Sequence, residues 1–365
     1  MKKTILNSRH KNLDAKLVDF AGWEMPINYP AGIIKESSFV RESCGMFDVS
    51  HMGRVEISGK NAKKFIEKIL PIDVNLLQLS SAKYTLLIND KKEILDDLII
   101  YKISEDKYLL VINASNTNED LEWIEKVNDD VSINNITANT SMIAVQGPNA
   151  LDKINLLSNN SIKDLGRYKY KELKLQNYSI FAARTGYTGE DGVEIICENN
   201  DAENIWDLLI ENKIEACGLG ARDLLRIEAG LHLYGHEINK NSNPIDIGLG
   251  RLLESKSKDY INHDYINGED IKKGTESLAG LVILDRGIAR EGNEIYIDNK
   301  IIGYITSGTH SPRIKSAIAI GKIEKNYNNI ENTVKIKVRE KFLEAKIVKL
   351  PFYRRKRKWA KSLKT

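Results

Sequence analysis

The chain has 365 residues, of which 42% are hydrophobic and 29% charged, and a net charge of +3. This balance excludes a disordered or fibrous chain and leaves material for two or three domains with a real core. The three cysteines, Cys44, Cys197 and Cys217, lie far apart and form no Cys-x-x-Cys pair, which argues against a disulfide framework or a cysteine-built zinc site and for a reducing compartment. Charge is unevenly placed: the segment from Phe352 to Thr365 holds seven Lys or Arg and no acid, so the rest of the chain carries −4.

The basic N-terminus "MKKTILNSRHKNLDAKL" lacks the apolar stretch of a signal peptide. The longest membrane-span candidate, Leu278 to Leu284, has the length of a buried strand. The expectation is a soluble, cytoplasmic protein.

In chain order, a first region runs from Met1 to about Ser50 and ends in "GMFDVSHMG". From Gly53 to Ala138, strand-like runs ("RVEISG", "YTLLIND", "ILDDLIIYKI", "YLLVINA", "VSINNIT") surround two helical patterns. The first helix aligns Ala62, Phe65, Ile66 and Ile69 on one stripe, and the second aligns Leu121, Ile124 and Val127 after a cap-like Asn or Thr. "SMIAVQGPNALDKINLL" predicts a strand, a turn and a helix; "SIFAARTGYTGEDGVEIIC" predicts two strands about a glycine-rich turn, and "AENIWDLLIEN" another helix. "GARDLLRIEAGLHLY" predicts an amphipathic helix with Leu224, Leu225, Ile227 and Leu231 inward. Asn243 to Gly274 reads as a charged connector, and from Leu278 onward short strands predict a small sheet or barrel. The fold class is α+β: two α+β units followed by an all-β domain.

Two adjacent acids interrupt the strand-like run "EILDDLIIY". Neighbouring strand residues face opposite sides, so either Asp96 and Asp97 are still solvated by the turn before them, or one carboxylate points inward and needs a partner. Glu194 in "GVEII" poses the same choice: an exposed strand glutamate, or an inward carboxylate gripping a planar ligand with adjacent N–H and NH₂ groups. Arg222 and Arg226 stand four apart on one helix face. Asp223 and Glu228 neutralise them, or an arginine is aimed at an anionic ligand.

"GYTGEDG" lacks the Gly-Lys-Ser/Thr of a phosphate loop, and "GLGARD" has Asp where a dinucleotide fingerprint needs its third glycine. Both are read as tight turns requiring positive φ. His232 and His236 have helical i, i+4 spacing but no acid between them, so no metal site is expected. With Tyr84, Tyr101, Tyr187 and Tyr234 on strand or turn elements, the polar set suits binding and positioning of a polar aromatic ligand better than nucleophilic hydrolysis.

"LVDFAGWEMPINY", "VRESCGMFDVSHMG", "DDLIIY", "MIAVQGPNA", "RTGYTGEDGVEI", "GLGARDLLRIEAGLHLYGHEI" and "ITSGTHSP" together resemble the aminomethyltransferase (T-protein) family of the glycine cleavage system, in order, from about Lys11 to Tyr353. The resemblance implies a three-domain cloverleaf around a central folate cavity: residues 1–52 and 139–275 as a discontinuous α+β domain, 53–138 as a second α+β domain, and 276–365 as a β-barrel-like domain. It also implies a reaction. Ammonia leaves an aminomethyl group on the lipoyl arm of the carrier H-protein, and the one-carbon unit passes to tetrahydrofolate as 5,10-methylenetetrahydrofolate, alongside the other glycine cleavage proteins. No metal is implied.

The family's key aspartate matches Asp97, which would face the cavity, orient the nucleophilic amine and stabilise positive charge as ammonia departs, while Asp96 points away. Glu194 matches the glutamate that grips the pterin, and Arg222 an arginine of the folate site. Met52, Tyr84, Tyr101, Asn113, Tyr187 and Tyr234 stand in motifs that line the cavity.

Two features depart from the pattern. Arg251 stands where relatives often carry Trp, and the C-terminal tail is unusually basic. The tail is read either as an attractor for polyglutamyl folate or an acidic carrier surface, or as a solvated tail without a partner; nucleic-acid binding is disfavoured without an aromatic platform. The competing function is a related folate-dependent demethylase acting on a small methylated compound, which would be expected to alter "FDVSHM" and "DDLIIY". Iron–sulfur-assembly relatives are disfavoured because their "KGCYxGQ" motif is missing.

Overall fold

The computed structural model describes residues 1–159 and 161–355. The hypothesis for the basic tail falls almost wholly outside the described residues. Among them, the strands form a short hairpin, two open sheets and a closed six-stranded barrel. The chain is thus α+β with a C-terminal barrel, as expected.

The five-stranded sheet is antiparallel, in the order Ser81–Ile88, Ile94–Lys102, Lys107–Ile112, Gly53–Ser58, Ser132–Asn135. The helix Ala62–Ile69 packs on it through Ala62, Phe65, Ile66 and Ile69, the stripe its 3.6-residue period predicts. Fully burying each of the three larger side chains contributes about 1.5–3 kcal/mol. The helix Thr117–Lys126 covers the same core with Trp123 and Ile124, and it also buries Asp120. Leu121 and Val127, expected inward, pack at the margin.

In the six-stranded sheet, Thr140–Gln146 lies between Gly192–Glu198 and Gly45–Asp48, and all seven of its residues are buried. Its central run, Met142 to Val145, is continuously apolar and so requires cover on both faces. Ile143 and Val145 meet one core with Met46, Ile195 and Trp206. Met142 and Ala144 meet another with Phe47 and Ile196, and that second core also contains Tyr101, Leu109 and Val111 of the five-stranded sheet. The two sheets therefore share one interior.

The barrel closes through Glu276–Ile283, Ser316–Glu324, Lys300–Ser311, Glu294–Ile297, Thr333–Val338 and Lys341–Val348, leaving no free sheet edge. It is tied to the helix Leu219–Glu228 by the packing of Ile227 on Ile318 and Ile320. A buried polar cluster also joins them: Arg226 pairs with Glu237 at 2.7 Å and donates to Ser307 of the barrel at 2.7 Å, and Thr306 of the barrel donates to Glu237 at 2.5 Å.

Three expectations are corrected. The helix expected to reach Tyr234 stops at Glu228, because Gly230 turns the chain at φ +63°; Leu231 is only partly buried. "GLGARD" is not a positive-φ turn. Gly218 sits at the start of that helix, where a Cβ would lie 2.4 Å from the Ile27 carbonyl oxygen, so close backbone approach is the constraint. Only Gly189 of "GYTGEDG" has positive φ, +78°. Finally, Asn243 to Gly274 is more than a connector: Ile247, Leu249 and Leu252 pack on Leu86, Ile88 and Ile94, and Tyr260, Ile266 and Ile271 form a cluster of their own. Its apolar residues follow no regular period, so the pattern hid them.

Candidate active site

Neither Asp96 nor Asp97 is a solvated turn residue. Both lie in the strand Ile94–Lys102, with Asp96 fully buried (0% exposed) and Asp97 partly buried. Alternation directs Asp96 to the side of Leu98 and Ile100, beneath the helices, and Asp97 to the side of Ile99 and Tyr101. Asp96 Oδ1 accepts from Asn113 Nδ2 and Asn116 Nδ2, each at 2.7 Å, and Oδ2 accepts from the Asn113 backbone N–H at 2.8 Å. Asp97 Oδ2 accepts from the Tyr84 hydroxyl at 2.8 Å and Oδ1 from Asn113 Nδ2 at 3.1 Å. Asn113, at the end of the neighbouring strand, thus grips both acids.

Burial, and then the Asp96 charge, push the Asp97 carboxyl up to about 7, against the opposing pull of Tyr84, His232 and Asn113. Burial beside Asp97 in turn raises the Tyr84 and Tyr187 hydroxyls above their ordinary value. Tyr187, in the Gly186–Gly192 loop, donates its hydroxyl to the His232 carbonyl. The Arg222 guanidinium lies over its ring at 5.0 Å, a cation–π contact.

Arg222 and Arg226 prove unlike. Arg226 is neutralised by Asp223 at 2.8 Å and by Glu237, while Glu228 pairs with Arg41 at 2.8 Å. Arg222 forms no ion pair among the described residues, and its Nη1 is buried without a hydrogen-bond partner. Burial lowers its proton affinity, opposed by the charge of Glu194. Glu194 is 5% exposed and takes a 2.5 Å hydrogen bond on Oε2 from Thr185; among the described residues Oε1 has no donor. The Thr185 hydroxyl lies 3.4 Å from the Tyr101 hydroxyl, which burial and Glu194 raise.

Hydrogen bonds thus join Asp97 to Tyr84 and Asn113 and Glu194 through Thr185 to Tyr101; Tyr187 and Arg222 form a third set, on which the charges of Asp97 and Glu194 act. Met52 packs at the edge of the core that contains Tyr101, beside His51, whose imidazole burial pulls down to about 4 and so keeps neutral. Tyr234 packs with Tyr84, but its hydroxyl is committed to the Ile94 carbonyl at 2.8 Å. Arg251 is exposed in a short helical turn. Thr185, Asn116 and Asp120 were not singled out from sequence, and His232 was weighed there only as a metal ligand and set aside. For Asp120 a signal existed, since an acid three residues before Trp123 and four before Ile124 falls on the apolar face.

Among the described residues no group of three or more His, Cys, Asp or Glu side chains is placed to hold a metal ion, and no helix is long and apolar enough to cross a membrane. The GCVT N-terminal domain family matches residues 6–257, and the glycine cleavage T-protein C-terminal barrel domain matches residues 277–354. The chain belongs to the glycine cleavage T-protein family. As a T-protein relative it is a transferase, 41% identical over 358 residues to the aminomethyltransferase of Thermosipho melanesiensis, across 97% of this chain and 98% of the relative. It is 37% identical over 362 residues to that of Bacillus licheniformis, across 97% and 99%. The crystal structure of glycine cleavage system aminomethyltransferase T from Bartonella henselae superposes with a TM-score of 0.89 at 31% identity, over 96% of this chain and 98% of that one. The T-protein barrel match spans the closed barrel described above.

Proposed function

We propose that this T-protein relative releases ammonia from the aminomethyl group on the lipoyl arm of the H-protein and transfers the one-carbon unit to tetrahydrofolate, giving 5,10-methylenetetrahydrofolate. It would work with the other glycine cleavage proteins in the cytoplasm, a location in keeping with its three free cysteines. Three cores whose buried residues each keep to one unit support a division into residues 1–52 with 139–275, 53–138, and 276–365, and two further cores join the first two.

The observation that carries the reading is a carboxyl raised to about 7, Asp97, together with a part-buried arginine and a buried glutamate, Arg222 and Glu194, that are not paired with each other or with another charged side chain among the described residues. Among the described residues Nη1 of Arg222 is buried without a protein partner, and Glu194 takes its side-chain hydrogen bond from Thr185 on Oε2 alone. A planar heteroaromatic edge with a carbonyl beside N–H and NH₂ groups would satisfy both, as a pterin does. Tetrahydrofolate supplies the nitrogen nucleophiles that accept the one-carbon unit. Tyr84 and Asn113 hold Asp97 in a single orientation. A carboxyl that titrates near 7 can take up a proton at working pH, and as the anion it stabilises positive charge building up beside it. Tyr101 and Thr185 orient Glu194; Met52, Tyr187 and Tyr234 supply surface for the bound ring.

The test combines purified protein, tetrahydrofolate and reduced H-protein carrying the aminomethyl group, with ammonia and methylenetetrahydrofolate measured together. Equal yields of both are expected, and Glu194→Gln should weaken tetrahydrofolate binding. A protein that binds tetrahydrofolate yet forms neither product would refute the reading.

A further inference from the structure

Asp120 lies in the first turn of the helix Thr117–Lys126 with no exposed surface (0%). Among the described residues no N–H or neutral hydroxyl donates to either of its carboxyl oxygens. The helix that carries Asp120 packs on the strand of Asp96, and the Asp96 charge acts directly on the buried Asp120 carboxyl. Two ionised carboxylates do not meet in this way in a dry interior; one must carry the proton between them.

The surrounding donors decide which. Asp96 receives three N–H groups, two from Asn113 and one from Asn116, at 2.7–2.8 Å, and such bonds favour the charged form. Asp120 receives none, and burial followed by the Asp96 charge drives its carboxyl far above the ordinary carboxylate range. The other ionisable groups felt here are Asp97 and Tyr84 on the strands, Glu119 on the same helix, and Tyr234. Lys240 is held by Glu119, and His232 acts on Asp97. Among the described residues neither Asp96 nor Asp120 forms an ion pair, so no cation offsets a second negative charge.

We propose that Asp120 is a neutral carboxylic acid at working pH, and that a hydrogen bond it donates to Asp96 makes it a positioning residue: it fixes Asp96 as the anion behind Asp97 and so keeps Asp97 able to accept a proton. The second half rests on the reading of Asp97 as the catalytic carboxylate; the first half does not. Without its donor at 120, Asp96 takes up the proton itself and no longer repels charge on Asp97.

Infrared difference spectroscopy at pH 8 tests the first half with no need of activity. The carbonyl stretch of a protonated carboxylic acid is expected in the wild type and its loss in Asp120→Asn; an unchanged spectrum would overturn the proposal. The pH profile of kcat/KM tests the second half. In Asp120→Leu the acid limb should move down by on the order of one pH unit, and Asp120→Asn, whose amide can donate to Asp96, should bring it back. A leucine variant that loses rate with its limb unmoved has a structural role only, which overturns the positioning claim. If the leucine variant does not fold, Asp96→Asn, which removes the same charge, must show the same shift; an unmoved limb there overturns the claim equally.

Discussion

Tyr84 and Asp97 meet diagonally across two antiparallel strands, the Tyr84 hydroxyl donating to Asp97 Oδ2 at 2.8 Å. In the register of the pair, Asp97 stands opposite Leu86 and Tyr84 opposite Ile99, and this diagonal separation is within reach of an aromatic side chain. Sheet register thus turns the carboxylate to the face of Ile99 and Tyr101, where its charge acts on Tyr187, whereas the residue before it is sent beneath the helices.

A carboxyl held above its ordinary value weakens the fold when it ionises. The native state binds the Asp97 proton more tightly than the unfolded chain does. Its contribution to stability is therefore complete below the ordinary value near 4 and is lost as pH rises through about 7. Asp97→Asn should be more stable than the wild type at pH 8, by on the order of 2 kcal/mol, and nearly equal to it at pH 4. Urea unfolding at the two pH values checks this; a variant weaker than wild type at pH 8 would count against the raised carboxyl.

Among the described residues Asn113 is the one side chain that grips both acids. Asn113→Ala leaves buried carboxylate oxygens short of donors and should cost about 1–3 kcal/mol of stability. It should also lower turnover by about tenfold or more, since a misdirected Asp97 changes differential binding by at least the equivalent of one pKa unit. Paired denaturation and rate measurements separate the two effects. A variant with normal stability and normal rate would remove Asn113 from the account.

Much of this was legible in the sequence wherever one local rule decided the outcome. The stripe Ala62, Phe65, Ile66 and Ile69 follows from helical period alone, and the run of short strands after Leu278 announced the barrel. Partnership across long separations was not legible. Glu228 was weighed as a partner for a neighbouring arginine on its own helix, yet its partner is Arg41, 187 positions away. That leaves Arg222 without a counter-ion among the described residues, which no reading of spacing reveals. Asp120 was passed over for a related reason: acids in a first helical turn are usually solvated, and its burial depends on a strand reaching it from twenty-four positions earlier.

The buried pair of Arg226 and Glu237 ties the helix Leu219–Glu228 to the barrel-facing loop. Removing one partner strands a charge, so Arg226→Met or Glu237→Leu alone should cost about 3–5 kcal/mol. The double variant should recover much of that loss. A double-variant cycle by chemical denaturation measures it, and strictly additive losses would show that the pair is not coupled.

Gly218 has no room for a side chain, with the Ile27 carbonyl oxygen 2.4 Å from where a Cβ would sit. Gly218→Ala should cost about 1–3 kcal/mol through forced displacement of the backbone, visible as a lower thermal midpoint. Gly22, unlike Gly218 a positive-φ glycine (+80°) and with open space around it, offers a control in which only backbone strain is added.

The central claim is that Asp97 carries the chemistry while the Glu194 and Arg222 side holds the folate. It is tested most directly by measuring kcat/KM for ammonia release and tetrahydrofolate affinity on the same preparation of Asp97→Asn. The account predicts a loss of about 100-fold to 10,000-fold in rate with affinity nearly intact. Wild-type rate, or a loss of rate matched by an equal loss of affinity, would contradict it.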